Sequence, residues 1–195
     1  MEDSKLNFKD FYLEKSSFKD PHGNVFYFED RIFRTIKKNF KDEYDYIKKA
    51  NIYELLIKDE KLIETWEINI SSISDEIYKV VEHEKVLIDT KPFEWTFSKL
   101  KKAALFHLDL HIFLLKRGYT LKDSSAYNVK FIKDKPIFVD FLSIKKYKEN
   151  DYWNGYDQFC KEFLNPLILS SKFNMEFNSL YKGFSNGIPT SFTNK

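Results

Sequence analysis

Asp123 and Asn128 stand five positions apart in Leu121-Lys122-Asp123-Ser124-Ser125-Ala126-Tyr127-Asn128, and a second acid, Asp140, ends Lys135-Pro136-Ile137-Phe138-Val139-Asp140. Between the last two lie a β-like segment, a turn and another β-like segment. A carboxylate, an amide and a second carboxylate in this order suit phosphoryl transfer. That chemistry asks little covalent help of a protein. It needs phosphate, metal ions and acceptor oxygen held in line, with charge set against the phosphoryl oxygens. Asp123 would orient or deprotonate the attacking hydroxyl, while Asn128 and Asp140 would hold the Mg²⁺ that neutralises the phosphates. Taken singly, each residue has an ordinary structural use: Asp123 caps a turn, Asn128 serves nearby backbone groups, and Asp140 ends a strand. The order of the three, with a helix ahead and a hairpin between, carries the expectation.

The elements around them follow from local pattern. A helix is predicted from Lys99 to Arg117, with Ser98 as its cap and Leu100, Ala104, Leu108, Ile112 and Leu115 as its buried stripe. It stops at Gly118, the residue favoured just past a helix C-terminus, and hands the chain to the Asp123 loop. Residues 129–132 and 136–139 form a hairpin around Lys133-Asp134-Lys135. A second helix is expected from Tyr156 to Leu169, with Phe159, Phe163 and Leu167 on one face and Pro166 kinking or ending it. Gly183 to Lys195 reads as loop.

The N-terminal half has a different texture. Residues 1–17 read as an arm or an edge element. Asp20-Pro21-His22-Gly23 signals a turn, and Asn24–Phe28 and Arg31–Ile36 pair as a hairpin across Glu29-Asp30. Residues 40–64 are helical with a break near Ala50-Asn51, and 76–81 and 85–88 read as two further strands. Lys91 to Phe97, stiffened by Pro92, is the candidate hinge.

Residues 20 to about 190 resemble a kinase-like region, of the protein kinase and aminoglycoside phosphotransferase type, found at the N-terminus of some bacterial SAM-dependent methyltransferase-type proteins. The matching phrases run from Phe93 to Leu105, Leu121 to Asn128, Phe138 to Ser143, Tyr156 to Leu167 and Asn186 to Pro189. The resemblance implies an α+β, two-lobed protein-kinase-like fold: a small β-rich N-lobe (18–90), a hinge (91–97) and a mainly helical, shortened C-lobe (98–195). It also implies ATP and Mg²⁺ as cofactors, with Asp123 as catalytic base and Asn128 and Asp140 as metal ligands. Arg34 is the first choice for the cation that meets the phosphates, because the resemblance includes an arginine in this phrase; Lys79 and Lys37 are rivals. Its acidic partner would be Glu54 or Glu43.

Departures from active protein kinases are visible. Leu121-Lys122 stand before the aspartate in place of His-Arg, Leu142 replaces the glycine after Asp-Phe, and Asp20–Val25 holds one glycine where the phosphate-covering loop has three. The leading expectation is an ATP- and Mg²⁺-dependent phosphotransferase acting on a hydroxyl of a small molecule or sugar. The alternative is a pseudokinase-like nucleotide-binding or structural module that partners a methyltransferase. A methyltransferase in its own right has no glycine-rich SAM loop to support it.

Composition narrows the rest. Across 195 residues, a net charge of +2 gives no electrostatic case for nucleic acid, and 43% hydrophobic residues suffice for a packed core. The best apolar run, Ala103 to Leu115, is interrupted by His107, Asp109 and His111, so no membrane span is expected. Cys160 alone forms no intrachain disulfide, and Met1 to Lys15 has no apolar signal-peptide core; the expectation is a cytoplasmic protein. His107 and His111, four apart on a helix, could reach a metal but more often serve structure. Cys160 is expected in the core, and Lys145-Lys146-Tyr147-Lys148 in a solvated loop.

Overall fold

A computed structural model describes residues 12–14, 17, 20–70 and 74–194. Most of the expected arm, 1–17, lies outside the described residues. The chain divides into two compact units, Met1–Lys85 and Val86–Lys195, the first built on a sheet and the second mainly helical.

The first unit is a five-stranded antiparallel sheet carrying two helices. In chain order its elements are β1 (Tyr12–Leu13), β2 (Val25–Phe28), β3 (Arg31–Lys37), α1 (Lys41–Lys49), α2 (Ile52–Lys58), β4 (Thr65–Ile68) and β5 (Ile77–His83). The strand order is β1-β2-β3-β5-β4. Phe33, Ile68, Ile70 and Val80 close its apolar face, with Phe26, Phe28 and Ile77 packed against them. The helical break falls where expected: Asn51 adopts φ +55°, a left-handed conformation that asparagine tolerates. The helical stretch then stops at Lys58 rather than near residue 64. Lys61 N–H turns back to the Leu56 carbonyl and Glu60 takes φ +53°, freeing Leu62 and Ile63 to bury. The next strand is consequently β4. Residues 85–88 are not a strand: after Glu84 N–H bonds the Glu64 carbonyl the chain leaves the sheet, with Leu87 and Ile88 exposed.

The second unit begins with a short 3₁₀ turn, Pro92–Glu94, and then α3 (Phe97–Leu115). Thr96, not Ser98, caps α3, accepting from Lys99 N–H at 3.2 Å. Gly118 takes φ +80°, which ends the helix as its residue type implies. The buried stripe of α3 is rotated from the expected one. It runs Leu100, Ala103, Ala104, His107, Leu110, His111 and Leu114, whereas Ile112 and Leu115 are exposed. Both histidines are core residues, so a stripe drawn through aliphatic side chains alone picks the wrong face.

Four short strands follow: β6 (Tyr119–Leu121), β7 (Val129–Ile132), β8 (Lys135–Phe138) and β9 (Ile144–Lys146). β7 and β8 form the expected hairpin, turning through Lys133 at φ +56°. β6 and β9 pair antiparallel, so Lys145 and Lys146 belong to a strand rather than to a solvated loop. The chain then enters α4 (Tyr156–Phe159), a π-helical turn (Cys160–Leu164), α5 (Asn165–Phe173) and α6 (Phe177–Gly183). Pro166 does not end this helix; the irregularity lies in the turn before it. α6 ends at Gly183, and among the described residues beyond it the expected loop is interrupted by a 3₁₀ turn at Thr190–Phe192.

Candidate functional site

Two ladders in the second unit bring the candidate residues together. β6 ends at Leu121, two residues before Asp123; β7 begins one residue after Asn128; β8 ends at Phe138, two residues before Asp140. Backbone bonds extend both ladders into the loops. Lys122 N–H donates to the Ser143 carbonyl at 2.8 Å, and Val139 N–H to the Asn128 carbonyl at 3.0 Å. A 3₁₀ turn, Ala126–Asn128, is capped by the Ser125 hydroxyl, which accepts from Tyr127 N–H at 3.2 Å.

The side chains converge on one amide. Asn128 Nδ2 donates to Asp123 Oδ1 at 2.9 Å and to Asp140 Oδ2 at 3.2 Å. Two carboxylates thus share one neutral donor, an arrangement that leaves most of their mutual repulsion in place. Asp123 shows the consequence. Burial first, and the Asp140 carboxylate second, push its pKa up to about 6, against the lowering pull of Ser125 N–H and Lys122. The two carboxylates are hard oxygen ligands of the kind Mg²⁺ prefers, whereas the Asn128 amide turns its N–H₂ to them and would offer its carbonyl oxygen to a metal only with the amide turned over.

A group of residues that the sequence reading does not single out holds the loop. Gln158 Oε1 accepts from Ser124 N–H at 2.9 Å, and Glu162 Oε2 accepts from Ala126 N–H at 2.8 Å and from the Ser125 hydroxyl at 3.1 Å. Glu162 is 4% exposed, and burial raises its pKa despite these donors. Gly155 lies against the same loop, where an added Cβ would meet Ser124 Oγ at 2.1 Å. Glu162 and Gln158 fall within the phrase Tyr156–Leu167, and their i, i+4 spacing was the one sign of a shared face.

The other charged candidates belong to the first unit. Arg34, on β3, is buried and pairs with Asp20 at 2.5 Å. Lys79, on β5, pairs with Glu67 on β4 at 3.1 Å. Glu67 also engages Lys48 and accepts from the Tyr44 hydroxyl at 2.9 Å. Burial works to raise its pKa, but the bonds from Lys48, Lys79 and Tyr44 outweigh it and hold the pKa at about 2. The acid that meets Lys79 is therefore Glu67. Glu54 is exposed on α2 and Glu43 half-buried on α1, while Lys37 ends β3. Cys160 is half-buried.

His107 is enclosed by Phe138, Trp153, Phe159 and Phe163, with ring centroids 5.6–6.2 Å away. His111 Nε2 bonds the Thr120 hydroxyl at 2.9 Å. Among the described residues no three or more His, Cys, Asp or Glu side chains gather to hold a metal ion, and no helix is long and apolar enough to cross a membrane.

No family model matches the chain. Over 177 residues, 89% of the chain, it is 39% identical to nodulation protein NoeA of Rhizobium meliloti (strain 1021), and it spans 37% of that protein's length. Among solved structures it is similar to vaccinia related kinase 3, with 11% identity, a TM-score of 0.46, and coverage of 71% of this chain and 49% of that one.

Proposed function

We propose that the chain is a kinase-like phosphotransferase module, two-lobed, that uses ATP and Mg²⁺ to phosphorylate a hydroxyl of a small molecule or sugar. The observation that carries this is the Asn128 amide bonded to both Asp123 and Asp140. Bound Mg²⁺ would neutralise the nucleotide phosphates, and Asn128 and Asp140 are the residues to hold it. Asn128 and Ser125 N–H hold Asp123 Oδ1, which assigns Oδ2 to the acceptor hydroxyl. Burial, the larger cause of its raised pKa, makes Asp123 a readier proton acceptor than an ordinary aspartate. Arg34 is the proposed phosphate-facing cation, with Lys79 and Lys37 as rivals and Glu54 or Glu43 as the proposed helix acid, although the acids that Arg34 and Lys79 pair with in the structure are Asp20 and Glu67. A cytoplasmic setting fits the single cysteine.

Thermal-shift titration with ATP, with and without Mg²⁺, tests the reading. Stabilisation that requires both is expected, of about 2.7 kcal/mol at a hundredfold excess over Kd. No stabilisation by either would sink it.

One observation favours a second reading, a nucleotide-binding or structural module working beside a methyltransferase or other partner. Arg34 is already engaged by Asp20, in the segment assigned to cover the phosphates. ATP binding without turnover on any acceptor is the outcome that would select it.

A further inference from the structure

The π-helical turn Cys160–Leu164 is held open from outside its own helix. In a π turn the carbonyl of Lys161 would accept from residue 166, but Pro166 has no N–H to give. Ile188 N–H takes that carbonyl instead, at 2.8 Å, and Asn165 Nδ2 returns a bond to the Ile188 carbonyl at 2.8 Å. Gly187 makes the approach possible. It takes φ +78°, and an added Cβ would stand 2.8 Å from Glu162 Cγ and 2.8 Å from the Lys161 carbonyl oxygen. The widened turn carries Glu162, which receives the Ala126 N–H and the Ser125 hydroxyl on one side, Gln158 Nε2 at 3.0 Å on the other, and the Tyr181 hydroxyl at 3.4 Å.

The geometry points to Glu162 as the positioning residue of the Asp123 loop, set in place by the clasp that Gly187 and Ile188 make on the π turn. This role rests on the phosphotransferase reading for its catalytic consequence, not for its mechanical one. Asn128 and Asp140 are tied to the β7–β8 hairpin through Val139 N–H. Asp123 is tied on its N-terminal side alone, by Lys122 N–H to the Ser143 carbonyl, and the backbone that follows it depends on Gln158 and Glu162. Loss of Glu162 should therefore release Asp123 while leaving the metal-holding pair in place.

Two measurements on Glu162→Ala, Glu162→Gln and Gly187→Ala test this. In the first, amide exchange is followed residue by residue. Hydrogen bonds to a charged acceptor are worth about 1.5–3 kcal/mol, so Ala126 should exchange about 10–100-fold faster in Glu162→Ala. The β7–β8 amides should be unchanged. Glu162→Gln keeps an acceptor oxygen and should restore most of the protection. Gly187→Ala, remote from Asp123, should loosen Ala126 in the same way. Exchange at Ala126 equal to wild type in Glu162→Ala and Gly187→Ala overturns the inference. If Glu162→Ala does not fold, Gly187→Ala decides it by the same comparison. In the second, kcat should fall with little change in Kd for Mg²⁺·ATP. An equal loss in both overturns the positioning role. Should wild type show no turnover at all, the phosphotransferase reading fails and the exchange result stands by itself.

Discussion

Gly155 and Ser124 approach so closely that a Cβ on the glycine would lie 2.1 Å from Ser124 Oγ, and 3.0 Å from the Asp123 backbone carbon. Ser124 is fully buried, and its hydroxyl makes no hydrogen bond among the described residues. The loop that carries Asp123 is therefore packed against a helix start with no room for a side chain.

This gives a first prediction. Gly155→Ala should destabilise the protein by about 1–3 kcal/mol through overpacking. Ser124→Ala, which removes a hydroxyl without a partner, should be near neutral. The double variant should recover part of the loss, because the 2.1 Å contact disappears while those at 2.9 Å to Trp153 Nε1 and 3.0 Å to the Asp123 backbone carbon remain. Urea unfolding of the four proteins measures the cycle, and strict additivity would show that the loop and Gly155 do not press on each other.

Asp140→Ala should remove the Mg²⁺ dependence of nucleotide binding. Asp140 brings a formal charge to the metal, whereas Asn128 offers a neutral carbonyl oxygen. Calorimetric titration with ATP, with and without Mg²⁺, checks it. A variant that keeps the wild-type metal dependence places Asp140 outside the site.

Asp123→Asn should abolish phosphate transfer with little change in nucleotide affinity. The substitution is nearly isosteric and removes the base, and bases act on the transition state. A loss of about 10²–10⁴-fold in kcat is expected. Steady-state kinetics with an accepted hydroxyl substrate, or slow ATP hydrolysis, gives the number; wild-type rates in the variant would leave Asp123 a turn residue.

His107 supplies a pH prediction. Burial first, and neighbouring His111 second, push its pKa down to about 3, while burial takes His111 to about 4. An unfolded histidine titrates near 6.5. Between about pH 6.5 and 4 the unfolded chain thus binds more protons than the folded one, so stability rises with pH across that window and is lost on acidification. Both ring nitrogens of His107 are buried without a hydrogen bond among the described residues. His107→Leu should accordingly be within about 1 kcal/mol of wild type at pH 7. It should also flatten the acid slope by up to about 1.4 kcal/mol per pH unit. Unfolding free energies at pH 7 and 4.5 check both; an undiminished slope would mean that His107 is not held neutral.

How much was legible in the sequence depends on the range of the forces involved. The turn at Asn51, the helix end at Gly118 and the β7–β8 hairpin were readable because each is decided within a few residues, by which backbone conformations a side chain permits. The order Asp123, Asn128, Asp140 was readable too, although their meeting on one amide is a product of the two ladders. Tertiary structure decided the rest. It rotated α3 so that His107 and His111 face the aromatic core, where a neutral imidazole packs as a ring. It made Thr65–Ile68 the sheet's fourth strand and left the more apolar 85–88 outside, since pairing requires an edge to be within reach. It also placed Glu162 under Ala126, thirty-six residues away, where burial of a carboxylate is tolerable only because the fold gathers donors around it. Local pattern determines what a segment can be; which buried polar group finds its partners is settled only when distant segments meet.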